Sequence, residues 1–153
     1  MALVHTEIKR QLEVYRKSRP LTSSCWIVIG CLYLGVVALA VLFLSELVLR
    51  LPWYSLIDGL YVIGTLGLIG LTGATFIICG IAIRWNHWPS ILVGYWTTFV
   101  TSLLILFSPA CFLIPLYEMV FLESREFCLA ARYLVEKGFD LRNLPAESDP
   151  TLI

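Results

Sequence analysis

The chain has 153 residues, of which 59% are hydrophobic and 14% charged, with a formal net charge of +0. A soluble domain carries about 25% charged residues, so a mean hydropathy of +0.84 excludes an ordinary soluble fold. The balanced charge, with no basic stripe, excludes a nucleic-acid partner. Between Trp26 and Leu122 only Glu46, Arg50, Asp58, Arg84 and Glu118 are charged. Apolar runs of about 18 residues or more read as membrane-spanning helices. The expectation is an all-α polytopic integral membrane protein with the lipid bilayer as its first partner and three spans, or four.

In residues 2–19, Val4, Ile8, Leu12 and Tyr15 fall on one narrow helical stripe, with Lys9, Arg10, Arg16 and Lys17 off it. Such a basic amphipathic arm either lies on an anionic membrane surface or docks on its own protein. Pro20 is expected to break the helix.

Span one is predicted over 25–49. It is too long for a signal-peptide core of about 7 to 15 residues. Cys31, Gly35, Ala38 and Ser45 share a small-residue face. Near its end Glu46 precedes Arg50 by four, the favourable order for a helical ion pair. The loop LRLPWYSLIDG carries Pro52, Trp53 and Tyr54 as an aromatic belt.

Span two, 59–83, contains GTLGLIGLTG, with Gly64, Gly67, Gly70 and Gly73 at every third position. In hydrocarbon the backbone has no water to turn to, so a helix is close to obligatory despite the glycines. Association in lipid depends on close packing of small residues. A spacing of three makes the glycines drift around the helix, tracing an oblique groove in which Gly67, Gly70 and Ala74 share one side and Gly73 and Gly80 widen it. The next turn holds Trp85, His87 and Trp88, with Trp26 placed at the same interfacial level. His87 reads as an interfacial residue.

Span three is predicted over 90–107, followed by a kinked 108–115. Gly94, Thr97, Thr98 and Thr101 give it a small, weakly polar face. The short turn makes spans two and three antiparallel neighbours. The expected contact sets the glycine groove against the Gly94–Thr101 face. An oligomer or partner interface is the alternative use of the small faces.

A separate amphipathic helix is predicted over 116–138. Val120, Phe127, Cys128, Ala131, Leu134 and Val135 form its apolar arc. Glu118, Arg125, Glu126, Arg132, Glu136 and Lys137 lie on the polar side, which puts Glu118 on the polar face of an amphipathic helix that either lies in the interface or packs on the bundle. Gly138 is a C-terminal stop. Residues 139–153 read as a flexible polar tail, ending in Thr151-Leu152-Ile153. That ending matches the pattern bound by PDZ domains, which needs a cytosolic tail.

The positive-inside rule places the N-terminus in the cytosol. Three spans would then send the tail outside, leaving six basic residues against five on the two sides. The five cysteines, Cys25, Cys31, Cys79, Cys111 and Cys128, read as small buried hydrophobes, with S-palmitoylation of Cys25 or Cys128 as the alternative. No metal-ligand spacing, cofactor fingerprint or catalytic motif occurs in the chain. The expected function is that of a non-enzymatic scaffold, assembly or accessory subunit in the plasma membrane or an endomembrane. It would act as a homo-oligomer or within a larger membrane complex. The alternatives are a transporter or channel component with its mouth at Glu46, Arg50 and Asp58, or a subunit of a lipid-modifying enzyme complex.

Overall fold

The computed structural model describes the backbone of residues 2–50, 56–106 and 114–144, and the side chains of 5–44, 60–105, 115 and 117–144. Four α-helices make up the described chain: α1 (Ala2–Arg50), α2 (Leu56–Arg84), α3 (Trp88–Leu106) and α4 (Ile114–Glu136), with a 3₁₀ turn at Leu141–Asn143. Three of them, α1, α2 and α3, are long and apolar enough to cross a membrane by length and composition.

Pro20 does not break α1, which runs 49 residues through it. A proline removes one backbone donor and crowds the preceding turn. Here the helix is clamped on both sides of that defect. Before Pro20, the Tyr15 hydroxyl donates to Asn86 Oδ1 at 2.9 Å and Arg19 donates to the Arg84 carbonyl. After it, the Ser23 hydroxyl donates to the Gly80 carbonyl at 2.7 Å. The buried stripe Leu12, Tyr15, Ser18, Thr22, Trp26 and Ile29 passes straight across the proline, which itself faces outward. Tertiary packing overrides the local preference.

The N-terminal arm is therefore one body with the first span. Its Leu12 and Tyr15 are buried within the protein, and the Tyr15 ring stacks on Phe127 of α4 with centroids 5.0 Å apart. Of the two uses expected for the stripe, docking on the chain's own surface is the one observed.

Helix α2 ends in a Schellman cap. His87 N–H reaches the Ala82 carbonyl and Asn86 N–H the Ile83 carbonyl, with Asn86 at φ 54. Asparagine tolerates this left-handed conformation. His87 Nδ1 shares a 2.8 Å hydrogen bond with Ser90 Oγ at the start of α3. The same cap closes α4 at Gly138, φ 84, where Phe139 N–H meets the Leu134 carbonyl. That cap turns Phe139 back onto the core, and Leu141 is buried behind it. Asp140 caps the 3₁₀ turn by accepting from Arg142 N–H at 3.0 Å. Residues 139–144 are thus packed structure, correcting the expectation of a flexible tail there; 145–153, with Thr151, Leu152 and Ile153, lie outside the described residues.

Of the two placements expected for α4, in the interface or packed on the bundle, packing on the bundle is the one observed. Three contacts fix its direction against α1. The Tyr117 hydroxyl donates to that of Tyr33 at 2.9 Å, Trp26 Nε1 donates to Ser124 Oγ at 3.0 Å, and Phe127 stacks on Tyr15. As α4 advances from 117 to 127, its partner on α1 retreats from 33 to 15. The helices are antiparallel, and α4 returns alongside α1 towards the N-terminal end. The predicted apolar face is correct in composition: Val120, Phe127, Cys128, Ala131 and Leu134 are buried, while Val135 is partly exposed. What covers it is the chain itself.

Candidate functional site

Trp26 is fully buried at the centre of the bundle. Its side chain is turned into the protein, not outward as that of an interfacial belt tryptophan would be. Its ring lies on Gly94 of α3, where any added Cβ would overlap ring atoms. It tilts at 58° to Phe76 of α2, with centroids 6.4 Å apart. Its indole N–H reaches Ser124 of α4. One side chain therefore touches all three other helices, and its single polar group is satisfied, as burial requires.

The glycine groove of α2 meets a different neighbour from the one expected. A Cβ on Gly73 would stand 2.9 Å from Tyr33 Cβ and 3.0 Å from the Gly30 carbonyl. One on Gly30 would stand 2.6 Å from the Gly73 carbonyl, and one on Gly80 3.0 Å from the Ser23 carbonyl. The seam is α1 against α2, backbone on backbone. Helical drift explains which glycines take part. At about 100° per residue, Gly73 and Gly80 point within about 20° of one another, whereas each step of three rotates by about 60°. Gly70 only grazes Val37 Cγ2 at 3.9 Å, and Gly67 and Gly64 meet nothing within 4 Å among the described residues. Ala74 is half-buried.

The Gly94–Thr101 face is likewise not the partner of those glycines. Gly94 receives Trp26, and Thr98 and Thr101 are buried. Their hydroxyls, with that of Thr97, donate to carbonyls of their own helix at 2.8 Å. Self-satisfied hydroxyls suit a water-free surrounding. Between α2 and α3 there is an apolar groove of about 440 Å³ instead of a tight seam, lined in part by Leu68, Thr72, Trp96 and Val100.

A second groove, about 250 Å³, opens between α3 and α4 and is lined by Phe99, Ser102, Leu103, Ile105, Tyr117, Glu118 and Phe121. Glu118 stands beside Tyr117, level with Tyr33. Tyr33 lies eight residues past Cys25, about 12 Å along the helix, within the uncharged run of α1. Glu118 is exposed, and among the described residues it has no ion pair or hydrogen bond. The amphipathic wheel placed it on the polar side of a surface helix; the upright, returning α4 carries it to the level of the apolar run.

Cys128 is buried against the core. Burial raises its thiol pKa, with Arg132 opposing, so acylation there would require α4 to leave its seat. Cys25 is half-buried. The Glu46 and Arg50 side chains and that of Asp58 lie outside the described residues, as do Cys111 and most of the 108–115 segment. Sequence reasoning missed Trp26, Gly30 and Ser124. Trp26 and Gly30 carry no periodic signal that separates them from their neighbours. Ser124, a small polar residue between the charged positions of α4, was the available clue.

Compared with protein-family models, curated proteins and solved structures, the chain matches none of them.

Proposed function

We propose that the protein is a non-enzymatic multi-pass membrane subunit that scaffolds or assists a larger membrane assembly by lateral helix packing. The observation that carries this reading is the division of the α2 glycines. Gly73 and Gly80 are used internally, while among the described residues nothing lies within 4 Å of a Cβ on Gly64 or Gly67. In lipid a bare glycine surface offers a partner helix the close backbone approach that drives association. Gly35 on α1 is also uncovered, within the small-residue face of that helix.

The orientation belongs to the same proposal. The return of α4 groups all but Arg50 of the eleven Lys and Arg residues at or beyond the level of Trp26, on the side of the α1 N-terminus. The positive-inside rule then assigns that side to the cytosol, with the α1–α2 connection on the far side. Residues after 144 would start from the cytosolic face, where a PDZ domain has access.

The test is Gly67→Leu. Nothing lies within 4 Å of a Cβ at this site, so thermal unfolding in detergent should be unchanged. Extracted from its native membrane in mild detergent, the wild-type chain should run in a complex larger than its own 17.3 kDa, and Gly67→Leu should reduce that complex. Equal complexes for both chains would remove the role of the open glycines. A wild-type protein recovered only as a single chain would contradict the accessory role.

A further inference from the structure

We propose that the α3–α4 groove receives a transmembrane helix of a different protein, through a lysine or arginine that pairs with Glu118. The proposal rests on the accessory-subunit reading and names the chemistry of its partner. An ionisable side chain at membrane depth is costly, and it is retained where it pairs or serves a pathway. Glu118 is exposed at the level of Tyr33, without an ion pair among the described residues. The walls around it are apolar and aromatic, with Phe99, Leu103 and Phe121 beside it, a surface suited to the aliphatic stem of a basic side chain. Ser102 adds an acceptor. Its hydroxyl proton is committed to the Thr98 carbonyl at 2.7 Å, which leaves oxygen lone pairs for an ammonium or guanidinium.

The cation has to come from another protein. Within this chain the nearest basic residue along α4 is Arg125, seven residues and about 10 Å from Glu118 at the level of Trp26. Among the described residues neither Arg125 nor Arg84 pairs with Glu118. A second copy would bring another carboxylate, not a cation. A lipid amine remains in the headgroup layer, about 10 Å or more from the level of Glu118 if Cys25 marks the apolar boundary. A basic residue carried on a helix is placed at that depth by its own span.

The probe is a fluorescent leucine–alanine peptide of about 22 residues with one central lysine. It is compared with the same peptide carrying leucine there, and with one carrying the lysine at its end. Full-length protein labelled as donor is reconstituted with each peptide in phosphatidylcholine vesicles, and energy transfer gives the affinity. The central-lysine peptide should bind about tenfold more tightly than the leucine peptide, the end-lysine peptide should lose that advantage, and Glu118→Gln should abolish it. Unchanged thermal unfolding of Glu118→Gln shows that the variant is folded. Equal binding of lysine and leucine peptides by the wild-type chain, or a preference that survives in Glu118→Gln, would overturn the pairing. In native membranes, Glu118→Gln should reduce the full-size complex. Retention of that complex by Glu118→Gln contradicts the pairing and leaves the accessory role standing, whereas a wild-type chain with no complex removes the accessory role itself.

Discussion

Replacing Trp26 with alanine is expected to destabilise the protein by about 3 to 5 kcal/mol, the usual effect of emptying a large buried aromatic site. The size follows from its position. The ring fills the space above Gly94, contacts Phe76, and holds Ser124 through its N–H. Removing it takes packing from three helices at once and leaves a buried serine hydroxyl short of its donor. Trp26→Phe separates the two contributions. It keeps most of the packing and loses the 3.0 Å hydrogen bond, for an expected loss of about 1 to 3 kcal/mol. Thermal or denaturant unfolding in detergent measures both. A Trp26→Ala chain with wild-type stability would mean that the bundle does not depend on this side chain.

Gly73→Leu should also be damaging, by the opposite route. Here the problem is overpacking of a backbone contact. The first side-chain atom would already stand 2.9 Å from Tyr33 Cβ and 3.0 Å from the Gly30 carbonyl. Neither is the far end of a flexible side chain, so α1 and α2 must separate. Overpacking typically costs about 1 to 3 kcal/mol, and separation would also loosen the Ser23–Gly80 hydrogen bond further along the seam. Gly67→Leu, two glycines earlier, meets nothing and should leave stability alone. The contrast between two identical substitutions six residues apart is the informative comparison, read as the difference in unfolding midpoint. Equal effects would show that the seam lies elsewhere.

The three helices long and apolar enough to cross a membrane were legible in the sequence because apolar length is a local property. So was the covered face of α4: Val120, Phe127, Cys128, Ala131 and Leu134 recur at helical spacing, and Gly138 stands where a left-handed cap is needed. The return of α4 beside α1, which brings residue 144 back towards the N-terminal end instead of the far side, was not. What periodicity cannot reveal is which element covers a face. Gly73 of α2 and Gly94, Thr98 and Thr101 of α3 do pack, while Gly64 and Gly67 meet no described residue; the two faces were matched to each other because a short turn joins their helices. Trp26 takes the seat on Gly94, and α1 takes Gly73 and Gly80. Pro20 misled for a related reason: its local cost is real, but Tyr15, Arg19 and Ser23 hold the helix from both sides. The same gap affected Glu118. A wheel separates polar from apolar sides, but the level at which a polar side chain ends up depends on whether the helix lies flat or stands beside α1.

The return of α4 along α1 underlies the charge asymmetry, the level of Glu118 and the side on which residue 144 emerges. It is tested most directly by the accessibility of single cysteines, in a chain whose own cysteines are replaced by alanine. His5→Cys and Lys137→Cys, both at exposed positions, report the two ends, and Pro52→Cys reports the connection between α1 and α2. In sealed vesicles treated with a membrane-impermeant maleimide, His5→Cys and Lys137→Cys should be labelled or protected together, and Pro52→Cys should show the reverse. Labelling of Lys137→Cys together with Pro52→Cys, opposite to His5→Cys, would contradict the fold described here.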